Sequence, residues 1–270
     1  MMAIKTISST QNPLIKQLVA LQEKGRQRKK TGTFVLEGQK ELRLAVAGGY
    51  TIESLLFAPH LMDPSELEVL CGQIQHPVQV ISLSPKVYAK LAYRGSTEGI
   101  MAVAHAKNHD LTELRLGDQP LVLVAEAPEK PGNIGAILRT AEAAGVDAVI
   151  IADPRGDLYN PNIIRSSVGA IFTTQIAMAP SPEVVDFLKQ NHIRIYSAAL
   201  TASVPYTQID FTAATALVVG TEATGLSPIW LEHSDQNIII PMQGQIDSMN
   251  VSVSAAILIF EACRQRLGPA

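Results

Sequence analysis

Residues 121–152 read LVLVAEAPEKPGNIGAILRTAEAAGVDAVIIA, and this stretch determines the fold that we expect. The apolar runs at 121–125 and 148–151 are continuous rather than alternating, which is typical of strands in a sheet covered on both faces. Residues 132–144 between them predict a helix. Strands that alternate with helices in this way indicate β-α-β units and a parallel sheet.

The alternation continues to the end of the chain. It predicts helices at 162–169, 182–190 and 251–266, and strands at 172–177, 194–198, 217–219 and 237–240. We therefore expect residues 120–270 to form a wound α/β domain. Its first strand–helix turn contains G-x-x-G at 132–135 instead of G-x-G-x-x-G, which argues against a dinucleotide-binding Rossmann domain.

The first part of the chain alternates on a smaller scale. It predicts helices at 12–23, 41–47, 67–74 and 85–92, and strands at 34–36, 52–57, 78–81 and 99–104. We expect a small α/β domain over residues 1–107, joined to the second domain by a polar linker at 108–119.

The composition excludes several classes of protein. With 47% apolar and 17% charged residues among 270, the chain is neither disordered nor a disulfide miniprotein. Cys71 and Cys263 form no C-x-x-C pair and the six histidines are scattered, so we expect no metal site. No apolar stretch approaches the roughly 20 residues that cross a bilayer, and the first residues lack the apolar core of a signal peptide. We expect a cytoplasmic protein with no membrane partner.

The charge is unevenly distributed along the chain. Residues 1–107 hold 13 Lys and Arg against 8 Asp and Glu, whereas residues 108–270 hold 9 against 17. The basic residues are concentrated at Lys24, Arg26, Arg28, Lys29 and Lys30. This pattern predicts an anionic partner for the first domain only. The alternative is a solvated helix end or a flexible arm that binds nothing.

Three segments of the second domain hold polar residues where chemistry is expected. In the first, Asn133 lies at a strand–helix turn, and Arg139 follows six residues later, roughly on the same side of the helix. The two could converge on one ligand, and arginine suits a phosphate because its planar fork gives bidentate hydrogen bonds. The alternative is a surface arginine paired with Glu142.

The second segment, residues 217–226, ends a buried strand at Gly220 and continues with Glu222 and Gly225. A glycine at a strand end allows close approach of the backbone to a ligand, and ligands of α/β sheets favour the carboxyl ends of strands. We expect that a side chain at Gly220 would project toward such a ligand. The alternative is an ordinary glycine-containing turn, with Glu222 as a surface acid.

The third segment, residues 238–254, runs from a strand through a loop into the final helix. Ser248 is its predicted N-cap. Asn250, Ser252 and Ser254 add more polar groups than capping needs, which indicates a ligand at the helix start. Helix–helix packing through small residues is the alternative.

Together the segments read N-x-G-x-x-x-R-x-A, V-G-x-E-x-x-G-L and I-P-M-x-G-x-x-x-S-M-N-V-S. In order and separation they resemble the three motifs of the SpoU (TrmH-type) family of RNA 2'-O-ribose methyltransferases, within the SPOUT superfamily. The departures are Ala223, where many members have Gly, and Met249, where Leu is commoner. More weakly, the basic run followed by GTFVLEG at 32–38 and EGI at 98–100 is similar to the ribosomal-protein-like substrate-binding domain of many members.

The resemblance implies a SPOUT-type C-terminal domain whose parallel sheet carries a trefoil knot, S-adenosylmethionine as cofactor, and a homodimer through that domain. The residues implied around the cofactor are Gly220, Ile240, Met242 and Met249, with apolar edges flanking adenine. Those implied at the methyl-transfer site are Asn133, Arg139, Glu222, Ser248 and Asn250. As RNA contacts in the first domain we predict Arg26, Arg28, Lys29 and Lys30.

No conventional base for the 2'-hydroxyl proton is obvious among the implied methyl-transfer residues. No His is among them, Arg stays protonated, and we expect Glu222 to be occupied with structure. We therefore expect most of the rate to come from orientation and electrostatics, with Arg139 holding an RNA phosphate. The expected activity is 2'-O-methylation of RNA, with large-subunit rRNA as first choice. The alternatives are a tRNA 2'-O-methyltransferase, an antibiotic-resistance rRNA methylase, an enzyme acting on a small molecule, and a non-catalytic RNA-binding protein of the same fold.

Overall fold

The computed structural model describes residues 4–92, 98–201, 203–221, 224–245 and 248–267. The strands in this part of the chain are β1 (Lys5–Ile7), β2 (Thr33–Glu37), β3 (Ile52–Phe57), β4 (Gln79–Leu83), β5 (Ile100–His105), β6 (Leu121–Glu126), β7 (Ala148–Ala152), β8 (Ile176–Ala179), β9 (Arg194–Ala198), β10 (Ser203–Pro205), β11 (Thr215–Val219) and β12 (Gln236–Ile239). The helices are α1 (Pro13–Glu23), α2 (Gly25–Thr31), α3 (Gln39–Ala47), α4 (Pro64–Gln73), α5 (Pro85–Leu91), α6 (Pro131–Ala143), α7 (Pro161–Ser166), α8 (Ala170–Thr173), α9 (Ser181–Gln190), α10 (Pro228–His233) and α11 (Val251–Arg266).

The chain folds into two compact units. The first unit holds the residues up to Lys107 and also Leu158–Thr173, whereas the second holds Asn108–Asp157 and the residues from Thr174 onward. The stretch 108–119, expected as a linker, is part of the second unit, because its leucines pack against the core of that unit. These leucines are Leu111, Leu114 and Leu116.

Leu158–Thr173, which the sequence analysis placed in the second domain, joins the first unit through aromatic contacts. The Phe34 ring of β2 stacks on Tyr159 with ring centroids 4.2 Å apart, and its centroid lies 6.0 Å from that of Phe172. A Cβ at Gly48 would clash with the Phe172 carbonyl oxygen, so only glycine permits this approach. Burial of these large rings explains why Leu158–Thr173 belongs to the first unit, although the residues directly before and after it belong to the second.

The first unit is built on a five-stranded mixed sheet in the order β1-β4-β3-β5-β2. Strand β5 runs antiparallel to both β2 and β3, and the remaining pairs are parallel. Helix α1 presents Ile15, Leu18 and Leu21 at helical spacing, and all three are buried in one apolar cluster with residues of the sheet. Asn12 caps this helix, since its side chain accepts a hydrogen bond from the Leu14 N–H at 2.9 Å.

The second unit contains a seven-stranded sheet in the order β10-β12-β9-β11-β6-β7-β8. Every pair in it is parallel, as the continuous apolar runs predicted. Its core residues include Val122, Ile150 and Val218, each with no exposed surface. Strands β7 and β8 lie on one side of β6, whereas β11, β9, β12 and β10 lie on the other side. Ligands of open parallel sheets bind outside the carboxyl ends of the strands at such a reversal.

Local differences from the prediction are few. Phe172 is helical in α8, and the strand expected from residue 172 begins at Ile176 instead. The short strands β1 and β10 and the helix α10 were not predicted. Across the described residues, no helix is long and apolar enough to span a bilayer.

Candidate active site at the carboxyl ends of the parallel strands

A cavity of about 490 Å³ lies beyond the ends of β11 and β12. The residues assigned from sequence to the cofactor all line it: Gly220, Ile240, Met242 and Met249. Its other described walls include the ends of β11 and β12, the segment after β9, the loop after β11, Leu231 of α10 and the start of α11. None of the described lining residues is charged. The volume lies within the roughly 300–1,000 Å³ typical of small-molecule sites.

Gly220 directly follows β11, and its lack of a side chain lets the next loop fold back on the strand. Thr221 and Gly225 exchange two backbone hydrogen bonds of 3.1 Å. A Cβ at Gly220 would meet the Gly225 carbonyl carbon and oxygen, and would lie 2.6 Å from the Leu226 nitrogen. The expectation that a side chain here would project toward a ligand is therefore wrong, because the loop backbone occupies that space. Gly220 shapes the cavity wall instead.

Asn250 is the N-cap of α11. Its Oδ1 accepts hydrogen bonds from the Ser252 N–H at 3.0 Å and from Ser252 Oγ at 2.6 Å. The prediction of Ser248 as N-cap is wrong, because the helix begins at Val251 and the capping position is the residue directly before it. Ser248 lines the cavity.

Asn250 also joins the third segment to the first. Its Nδ2 donates to Oδ1 of Asn133 at 3.1 Å, across 117 positions of sequence. Asn133 lies in the first turn of α6, which follows β6. The structure thus brings Asn133 and Asn250 into contact and places Ser248 on the adjoining cavity wall. Glu222, the acid of the second segment, lies outside the described residues.

Arg139 is exposed on α6. Six residues advance an α-helix by about 1.7 turns, which places Arg139 about 120° around the helix from Asn133. The expectation that the two side chains share one side of the helix is therefore wrong. Within the described ranges Arg139 forms no ion pair with Glu142, so the surface pairing considered from sequence is absent as well.

Glu126 supports the site and was missed from sequence. It ends β6, is only 6% exposed, and its carboxylate accepts hydrogen bonds from the Ser227 N–H at 2.9 Å and from Ser227 Oγ. A buried carboxylate persists where hydrogen bonds compensate its lost hydration. These bonds attach the chain after Leu226, a cavity residue, to the central strand β6. The available signal was an acid closing a wholly apolar run.

The basic run of the first unit forms the helix α2 and not a flexible arm. Arg26, Lys29 and Lys30 are exposed. Arg28 is only 5% exposed, and its guanidinium donates to main-chain carbonyls near the end of α1, including that of Gln22 at 3.0 Å. The prediction of Arg28 as an RNA contact is therefore wrong: its side chain satisfies carbonyl groups that a helix end leaves without partners.

Comparison with known proteins decides the family. The model of the SpoU rRNA Methylase family matches residues 120–260, more than half of the chain. The chain belongs to the SpoU rRNA methylase family. A second model, of the MRM3-like substrate binding domain, matches residues 12–102. The family expected from the three segments is confirmed, and so is the α/β class with a parallel second sheet.

Relatives of this SpoU-family chain match it over nearly its full length. The 23S rRNA (guanosine(2553)-2'-O)-methyltransferase RlmP of Bacillus subtilis is 33% identical, with 95% of this chain and 98% of RlmP covered. A solved RNA 2'-O ribose methyltransferase is 38% identical, with a TM-score of 0.82 and coverage of 97% and 99% of the two chains. An AdoMet-bound rRNA methyltransferase from Sinorhizobium meliloti is 25% identical, with a TM-score of 0.89 and coverage of 97% and 98%.

Proposed function

We propose that this chain transfers a methyl group from S-adenosylmethionine to a ribose 2'-hydroxyl of 23S rRNA. The observation that carries the proposal is the 3.1 Å hydrogen bond between Asn250 and Asn133, which joins the first and third SpoU segments beside a cavity of cofactor size. RlmP, which carries this activity in its name, supports the substrate. The AdoMet-bound relative from Sinorhizobium meliloti supports the cofactor.

The residues of the cavity fit S-adenosylmethionine. Ile240, Met242 and Met249 offer apolar edges for the adenine, and methionine side chains adapt readily to an irregular ligand. Gly220 keeps the loop through Gly225 tight, so that main-chain groups border the cavity. When bound, S-adenosylmethionine supplies an electrophilic methyl group on its sulfonium.

A ribose 2'-hydroxyl is a poor nucleophile, so the protein must orient it and stabilise the charge that develops as its proton leaves. We assign this work to Asn133, Ser248 and Asn250, together with Glu222. Arg139 is assigned to an RNA phosphate, because its exposed guanidinium does not pair with Glu142 and a guanidinium binds phosphate in bidentate fashion.

The two domains divide the work between binding and chemistry. We assign RNA binding to residues 1–107 and methyl transfer to residues 120–270, with 108–119 between them. The substrate-binding family model supports the first assignment through its match to residues 12–102. The exposed Arg26, Lys29 and Lys30 on α2 support it further, since basic side chains supply most non-specific affinity for nucleic acid.

A homodimer through the second domain is part of the proposal. Helix α11 exposes Val253 (48%) and Phe260 (53%), seven residues apart and thus on one side of the helix, while Leu258 and Ile259 are buried. Contiguous exposed apolar surface marks sites of association. The family likeness further supports a trefoil knot, and an rRNA substrate supports a cytoplasmic location.

The test is a map of 2'-O-methylated riboses in total RNA from cells with and without the protein. The expected result is one methylated site in 23S rRNA that is present only in cells with the protein. Such a site in tRNA would instead identify tRNA as the substrate. RNA binding with no such site would overturn the proposed methyl transfer. Sedimentation equilibrium of the parent and of Phe260→Glu tests the dimer, since a charge at this position should yield monomers.

A further inference from the structure

We propose that Ser252 is a positioning residue for methyl transfer, because it fixes the orientation of the Asn250 carboxamide. The inference rests on the proposed function, in which Asn250 belongs to the methyl-transfer site. The two ends of a carboxamide are nearly identical in shape but opposite in hydrogen-bonding character. The groups around it therefore determine which end faces which neighbour.

Two donors of Ser252 hold one end of this carboxamide. The Ser252 N–H and Oγ lie 3.0 and 2.6 Å from Asn250 Oδ1. With Oδ1 turned toward α11, Nδ2 faces Asn133 and donates to its Oδ1 at 3.1 Å. The reversed orientation would set an NH₂ group against the Ser252 N–H, which can only donate, and, with Asn133 placed as it is, an oxygen against Asn133 Oδ1. Ser252 thereby determines that Asn250 presents a donor, and not an acceptor, across the gap between α11 and α6.

Helix capping alone does not account for this arrangement. Helix α4 carries the same cap, in which Asp63 Oδ1 accepts from the Ser65 N–H at 2.8 Å and from Ser65 Oγ at 2.6 Å. There the capping side chain is a carboxylate that donates nothing. Because Asp and Asn cap helices about equally well, capping does not require an amide at position 250. What the amide adds is the donor that reaches Asn133.

The first experiment compares Ser252→Ala with its matched control Ser65→Ala. Each variant removes one hydroxyl donor from a helix cap and keeps the backbone N–H. For Ser252→Ala we expect single-turnover methylation of the rRNA substrate to slow by roughly 3- to 10-fold, the range for one hydrogen bond. Dissociation constants for S-adenosylmethionine and RNA should not change. Ser65→Ala should match the parent rate, and Ser252→Thr, which keeps a hydroxyl, should restore most of it.

A double-variant cycle shows whether Ser252 acts through Asn250. Asn250→Ala removes the group that Ser252 orients, so adding Ser252→Ala should have no further effect on the rate. Additive losses would overturn the inference, because they would mean that Ser252 acts independently of Asn250. A parent-like rate in Ser252→Ala, or no recovery in Ser252→Thr, would overturn it as well.

A spectroscopic readout separates this inference from the proposed function. The Asn250 side-chain amide gives a pair of ¹⁵N–¹H signals, assigned by their absence in Asn250→Asp. In Ser252→Ala these signals should shift or broaden, and in Ser65→Ala they should stay in place. Unchanged signals in Ser252→Ala overturn the positioning role whatever the activity. If the parent methylates no RNA but the Asn250 signals change in Ser252→Ala, the positioning role is supported and only the proposed function is contradicted.

Discussion

The basic helix α2 holds two kinds of cation, and they should respond differently to substitution. Arg26, Lys29 and Lys30 are exposed, whereas the Arg28 guanidinium is buried against carbonyl oxygens of α1. We expect the triple substitution of the exposed residues by Ala to weaken RNA binding with little loss of stability. Arg28→Ala should instead lower the free energy of unfolding and leave the salt dependence of RNA binding unchanged.

The magnitudes follow from the charges and hydrogen bonds involved. Removing one cation that binds a phosphate flattens the slope of log affinity against log salt by about 0.7–0.9, so removing three flattens it by about 2–3. Arg28 Nη1 donates to the carbonyl oxygens of Leu21 and Gln22. Hydrogen bonds to charged groups contribute about 1.5–3 kcal/mol each, and because these two share one nitrogen we expect a loss of about 2–3 kcal/mol in total.

Fluorescence anisotropy of a labelled rRNA fragment across a salt titration gives the slope, and urea unfolding gives the stability. Lys86→Ala, an exposed cation on α5, serves as control for a general change in net charge. The reasoning fails if Arg28→Ala flattens the salt slope by about 0.7–0.9, as the loss of one phosphate-binding cation would, while its free energy of unfolding equals that of the parent.

Three further results are expected. Arg139→Ala should slow single-turnover methylation on the order of a hundredfold, the scale of one electrostatic donor, and Arg139→Lys should recover little, since an ammonium lacks the bidentate fork; a rate within a few-fold of the parent would contradict the catalytic assignment. Gly220→Ala should lower S-adenosylmethionine affinity by roughly tenfold or more in calorimetry, because its Cβ displaces the backbone at Gly225, and undiminished affinity in a folded variant would place the cofactor elsewhere. Hydrogen bonds from Arg264, and to a smaller extent from Gln265, lower the pKa of Glu261 from its ordinary value of 4.5 to about 2. The ionised Glu261 therefore stabilises the fold fully at pH values above 4.5, and this contribution is lost as the pH falls through about 2. Glu261→Gln should therefore unfold at a lower urea concentration than the parent at neutral pH. The urea midpoints of the two proteins should become equal as the pH falls through about 2.

The parallel sheet was predictable because strands buried on both faces leave a simple signal. β9 (Arg194–Ala198) and α11 (Val251–Arg266) have the predicted bounds, and β6 and β7 differ from prediction by one residue. The error at Phe172 has a physical cause. Its apolar neighbours suit a strand or a buried helix equally, and the choice is made by contact with Phe34, which lies far away in sequence.

The site was predictable in composition but not in geometry. The residues assigned to the cofactor do share one cavity, because motif spacing carries that information. The burial of Arg28 depends on where α1 ends, and the crowding at Gly220 depends on how the following loop returns. The Asn250–Asn133 contact depends on the packing of α11 beside α6. Each is a long-range consequence of the fold that composition and periodicity do not contain.

Strand order explains how three distant segments form one site. All seven strands run the same way, so the segments that follow β6, β11 and β12 emerge at one edge, and β11 lies directly beside β6. Glu126 then attaches the chain after β11 to β6, while Asn250 attaches the start of α11 to α6. The bond between α11 and α6 is between neutral amides, which salt screens far less than exposed ion pairs. The exposed cations of α2, in contrast, form no ion pair with other residues in the described part of the chain, which leaves them suited to a polyanion.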